Sequence, residues 1–108
     1  MKEALRSLLT NESVNVIITS GGTGISRRDI TVDTVCSFME KRIEGFGELF
    51  RRLSYDEIGG GAILSRATAG VVARKLIFCL PGSKNAMDLG LRGIILPILG
   101  HMLWEANR

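Results

Sequence analysis

Histidine is nearly absent from this 108-residue chain, which has one, and cysteine and proline occur twice each. Each shortage excludes something. Cys36 and Cys79 lie far apart, with no CxxC pair and no His/Cys cluster, so no zinc site is expected. Both thiols sit in apolar surroundings and read as reduced core residues rather than a disulfide framework. Aromatic residues make up only 6%, so the core is aliphatic. No apolar run approaches ~18 uninterrupted residues, so no membrane span is expected. No signal peptide precedes the first helical pattern, and the cytoplasm is the expected compartment. Fourteen Lys and Arg against 11 Asp and Glu leave a net charge of +3. That balance suits an anionic ligand. Without a basic run or interleaved aromatics it does not predict nucleic-acid binding. The length fits one domain, residues 1–108.

What is present is organised around residues 14–29, VNVIITSGGTGISRRD. Val14, Val16, Ile17 and Ile18 form a β-branched run bounded by glycines. Such a run reads as a strand buried on both faces of a parallel sheet. Ligands of such sheets bind beyond the carboxyl ends of the strands. There, Ser20, Gly21, Gly22, Thr23 and Gly24 offer backbone N–H groups unobstructed by Cβ atoms, with two hydroxyls. Arg27 and Arg28 add charged donors, and Asp29 places one carboxylate beside the anion site. The same residues would also serve as an ordinary tight turn. The segment is neither a Walker loop nor a dinucleotide fingerprint.

The remaining chain alternates in type. Met1, Ala4, Leu5, Leu8 and Leu9 mark one face of a first helix. A second helix is expected from Thr31, as N-cap, with Val32, Val35, Cys36, Met39 and Ile43 buried and Gly45 as its stop. Asp33 would offset the dipole of its first turn. A third helix opens at Phe46-Gly47-Glu48, with Arg42, Arg51 and Arg52 forming a solvated face. Gly59–Gly61 reads as a flexible connector, and residues 62–66 as one turn of helix or a short strand. Val71-Val72 and Lys75–Leu80 are the arms of a hairpin over Ala73-Arg74. Pro81-Gly82-Ser83 ends its second, fully buried strand, and Ser83 can cap a long helix. Met87, Leu91, Ile94, Ile95, Ile98 and Met102 form one stripe of that helix; Leu89, Leu96, Leu99 and Leu103 lie largely off it. Pro97 should kink it or reset its start. His101, near the stripe, reads as a packed, hydrogen-bonded residue. Apolar residues on more than one side point to a subunit contact.

The words SGGTGISRRDITVDT, GFGELFRRLSYDEIGGGAILSRATAGV and LIFCLPGSKNA resemble the MogA/MoaB type of molybdenum cofactor biosynthesis protein. SRATAGV and LPGSKNA are closer to the MoaB branch. The resemblance runs over about residues 14 to 106. It implies an α/β fold: a three-layer α/β/α domain with a small, mostly parallel, mixed sheet. It implies molybdopterin as ligand or substrate, and adenylyl transfer from ATP with Mg²⁺. Asp29 would then be the catalytic and metal-binding residue. Gly21, Gly22, Thr23 and Gly24, with Ser20 and Arg28, would hold phosphoryl or pterin groups. Ser65, Arg66, Pro81, Gly82 and Ser83 would complete the pocket, and Glu48 is either a further site residue or a dipole partner at the start of its helix. The resemblance also implies a trimer or a dimer of trimers.

Against that family, the chain is expected to lack an initial strand, helix and strand, with a second carboxylate of the site. Three readings follow: a molybdopterin adenylyltransferase, a non-catalytic pterin-binding or assembly protein, and an inactive shortened chain.

Overall fold

The computed structural model describes residues 1–108. Four strands form one mixed sheet in the order β1 (Val16–Ser20), β4 (Lys75–Leu80), β3 (Thr68–Val72), β2 (Lys41–Arg42). β1 runs parallel to β4, with Ser20 opposite Leu80, whereas β3 is antiparallel to both β4 and β2. Parallel pairing is therefore confined to one of the three ladders. The hairpin arms meet across Ala73-Arg74, both with positive φ, as a two-residue turn matched to strand twist requires.

β4 is buried along its whole length and supplies both cores. Leu76, Phe78 and Leu80 face Phe46, Phe50, Ile94 and Ile95. Ile77 and Cys79 face Leu5, Ile17, Val32 and Val35. This alternation divides the helices into two layers. α1 (Lys2–Leu9) and α2 (Thr31–Cys36) cover one face; α3 (Glu44–Ile58), α4 (Lys84–Gly90) and α5 (Leu96–Asn107) cover the other. The three-layer α/β/α fold that the resemblance implies is the observed one, but its sheet is mixed with mainly antiparallel pairing rather than mostly parallel.

Several local expectations are corrected. β1 is an edge strand rather than one buried on both faces, and Ile18 is 39% exposed. The helices of the larger layer pack over β4 and β3, so on that face of β1 Val16 reaches the margin of the core while Ile18 stays exposed. Of the expected face of α1, Leu5 is buried and Leu9 packs beside it, while Met1, Ala4 and Leu8 are exposed. α2 stops at Cys36, so Met39 and Ile43 are not on it. The Ser37 hydroxyl bonds Thr34 O, the chain turns, and Glu40 N–H joins the sheet at Val71 O. Thr31 is the first helical residue rather than the cap, and is buried. Gly45 opens α3 instead of ending α2. Residues 59–64 are a 3₁₀ turn, so Gly59–Gly61 is ordered backbone rather than a loose connector.

The last helix is continuous over Lys84–Asn107, with a π-helical segment at Leu91–Ile95 just ahead of Pro97. Proline lacks the N–H that an α-turn would bond, and a wider turn accommodates it. The π segment advances the buried stripe by one residue. Leu99, Met102, Leu103 and Ala106 therefore pack on the core, while Ile98 is 49% exposed. His101 is also exposed, stacked on Trp104 and beside Glu105, instead of packed. By length and composition alone this helix could cross a membrane, a property that counting uninterrupted apolar runs misses. Cys79 is buried, and Cys36, at the end of α2, is half-buried; both are free thiols. Burial pushes the Cys79 thiol up.

Candidate functional site

Because β1 and β4 run parallel and in register, the loops that leave them emerge on one side of the sheet. Gly21 N–H donates to Leu80 O at 2.8 Å and pins the first loop to the end of β4. A Cβ built on Gly82 would stand 3.5 Å from Gly21 Cα, so the two loops touch. Ser83 caps α4, accepting the Ala86 N–H at 3.1 Å. The N–H groups of Gly22, Thr23, Ile25, Gly82 and Ser83 have no acceptor in the chain. Unpaired N–H donors on two touching loops, one of them opening a helix, attract an anion.

The first loop is fixed by close packing. Gly22 has φ +69° and lies directly against the Thr31 side chain, where no Cβ fits. Thr23 is buried. Asp29 Oδ2 accepts from Ser26 N–H at 3.0 Å and from the Ser26 hydroxyl at 2.8 Å. These bonds, the hydroxyl's first, hold the Asp29 carboxyl below the usual carboxylate range. Asp29 Oδ1 takes no part in them.

Arg66, expected to complete an anion pocket, is occupied inside the fold. Its Nε donates to Gly24 O at 2.7 Å, and one terminal nitrogen to Asp29 O at 2.6 Å. The guanidinium also grips Asp33 in two bonds, at 2.9 and 3.1 Å. Its backbone N–H donates to Thr23 O at 2.7 Å. Asp33 is therefore an ion-pair partner, and the Arg66 hydrogen bonds are the main cause of its lowered pKa. Arg51, read as solvated, turns inward instead, donating to Ser65 O at 3.2 Å and Ala67 O at 3.0 Å. Ser65 Oγ accepts from Ala67 N–H, which closes its own turn. The cations left without ion pairs near the loops are Arg27, Arg28 and Lys84, all exposed.

Ser20, Gly21, Gly22, Thr23, Gly24, Pro81, Gly82 and Ser83 thus share one end of the sheet. A depression of about 330 Å³ beside them is lined by Ile25, Ser26, Arg27, Asp29, Ile30 and Asp33, among others. Glu48 lies exposed on the second turn of α3. A more apolar hollow of about 440 Å³ lies by Leu76, at the other end of β4. The sequence reading missed Ser26 and Lys84 and the inward bonds of Arg51; Asp33 does sit in the first turn of α2, as expected, and pairs with Arg66 in addition. Only the Ser26-x-x-Asp29 spacing carried a local signal, that of a side chain closing a turn.

The comparisons with known proteins agree on one family. The family described as "Probable molybdopterin binding domain" matches residues 1–101. Molybdenum cofactor biosynthesis protein B of Bacillus cereus is 45% identical over 109 residues, covering 100% of this chain and 64% of the relative. The protein of the same name from Staphylococcus aureus is 52% identical over 98 residues, which is 58% of its length. The chain thus spans about three fifths of these relatives. A crystal structure of a molybdenum cofactor biosynthesis protein B superposes with TM-score 0.94 at 46% identity, over 99% of this chain and 67% of the other. The tungsten cofactor synthesizing protein MoaB from Pyrococcus furiosus gives TM-score 0.87 at 40% identity, over 100% of this chain and 71% of the other.

Proposed function

The chain belongs to the molybdopterin-binding family of molybdenum cofactor biosynthesis proteins, and from that premise we propose that it binds molybdopterin at the two touching loops, in the cytoplasm. The observation that carries the proposal is the set of unpaired N–H groups on Gly22, Thr23, Ile25, Gly82 and Ser83. They suit the terminal phosphate of molybdopterin, which rigid backbone donors hold without reorganisation. Arg27, Arg28 and Lys84 are the cations available to neutralise it; Arg66 is not.

Adenylyl transfer is the finer reading. In it, a molybdopterin phosphate oxygen bonds to the α-phosphorus of ATP, the bond to the bridging oxygen breaks, and pyrophosphate leaves. Mg²⁺ would supply charge neutralisation there. No three His, Cys, Asp or Glu side chains converge anywhere in the chain, so a protein-held ion does not fit. An ion arriving on ATP phosphates fits, with Asp29 Oδ1 as its single protein ligand. The single free carboxylate oxygen favours binding over turnover.

Calorimetric titration of molybdopterin into the chain should show saturable binding that inorganic phosphate competes for and Arg28→Ala weakens. Absence of binding would overturn the proposal. Pyrophosphate release on adding ATP and Mg²⁺, abolished by Asp29→Asn, would establish the enzyme. Binding without release would establish a binding protein.

A further inference from the structure

The bonds of Arg66 have a direction. Its backbone N–H and its Nε hold the carbonyls of Thr23 and Gly24. In a planar trans peptide the N–H lies opposite the C=O. With both carbonyls turned to Arg66, the N–H groups of Gly24 and Ile25 are turned away from it. Arg66 therefore sets which way the loop's donors face. The guanidinium reaches the Gly24 and Asp29 carbonyls from a fixed plane, and Asp33 defines that plane by accepting two parallel bonds from it. A bidentate carboxylate orients a guanidinium as a single acceptor cannot. Asp33 stands in α2, outside the loop, and 33 positions from Arg66 in the chain. Behind Arg66, Arg51 of α3 fixes the carbonyls on either side of it, at Ser65 and Ala67.

We propose that Asp33 is a positioning residue of the anion site, acting through the Arg66 guanidinium to hold the Gly24 carbonyl, and with it the Ile25 N–H, in its binding orientation before the ligand arrives. The inference rests on the molybdopterin-binding reading for its ligand, but the preformed loop is a property of the free protein. Preorganisation of this kind shows in affinity, because an untied loop must be ordered at the moment of binding. The pair is largely exposed, with 63% of the Asp33 side chain accessible. An exposed pair adds little to global stability. Its loss should therefore be felt in the loop more than in the fold.

The test combines backbone amide exchange in the free protein with molybdopterin titration, for Asp33→Ala, Asp33→Asn and Asp33→Glu. Asp33→Ala should speed exchange at the hydrogen-bonded amides that tie the loop, Ser26 and Arg66, by about tenfold and weaken molybdopterin three- to tenfold, leaving β4 amides unchanged. Asp33→Glu, which keeps a bidentate acceptor, should recover most of both. Asp33→Asn preserves volume and carries the test if the alanine variant does not fold. Unchanged loop exchange would overturn the inference, as would acceleration spread equally over the loop and β4. If the unaltered chain binds no molybdopterin, the functional proposal fails, and the exchange data still decide the role of Asp33.

Discussion

Gly22 and Thr31 are packed so closely that a methyl group on the glycine would overlap the threonine hydroxyl. Thr31 is buried at the start of α2, and Gly22 carries φ +69°, so neither can yield easily. Gly22→Ala should cost about 1–3 kcal/mol through strain and overpacking. It should also reduce molybdopterin affinity by displacing the loop. Thermal unfolding with titration checks this; a variant unchanged in both would show that the loop is free to move.

Asp33 makes stability pH-dependent. The hydrogen bonds from Arg66 set its carboxyl below the ordinary 3.8. With the pKa depressed in the folded state, the unfolded chain takes the proton first. The stabilisation is complete above that ordinary value and is lost as the pH falls beneath it. Asp33→Asn should therefore lower the melting temperature only slightly at neutral pH, with the gap narrowing below about pH 4. Parallel curves for the two proteins would exclude the pair as a source of acid sensitivity.

The hairpin turn is built from unsuitable residues. Ala73 and Arg74 have φ of 51° and 65°, where side chains other than glycine and asparagine are disfavoured. Replacing Ala73-Arg74 with Asn-Gly should raise stability by about 1–2 kcal/mol. The Arg74 carbonyl, which accepts from Asn107, is kept. Chemical denaturation measures the gain, and a loss would mean that the Arg74 side chain contributes more than its backbone costs.

Self-association is expected from the surface. Leu96, Ile98 and Trp104 are each about half or more exposed on α5. The sheet edge at β2 is short and charged, Lys41-Arg42, but the edge at β1, VIITS, carries no charge and no proline. Unprotected edges and apolar helix faces favour pairing with another chain. Light scattering should give a multiple of 11.8 kDa, a trimer on the expectation from the family resemblance, and Leu96→Glu with Ile98→Glu should reduce it. A monodisperse monomer would rule the assembly out.

The sequence by itself determined the hairpin, the Ser83 cap and the two glycine loops, because each rests on local periodicity or turn chemistry, while the layer count came from the family resemblance. The pairing of those loops was also legible, since two neighbouring parallel strands must open on the same side. Tertiary structure decided the rest. Met39 and Ile43 continue the helical spacing of α2, yet pairing of β2 with β3 draws the chain away after Cys36. The stripe through Ile98 fails because the turn ahead of Pro97 adds a residue that no fixed period anticipates. Arg51 and Arg66 look alike in sequence to any surface arginine. Their roles depend on carbonyls 14 to 42 positions away, brought near only when the sheet forms. Local pattern fixes where backbone donors are exposed; only packing across the sheet fixes which side chains are spent holding them there.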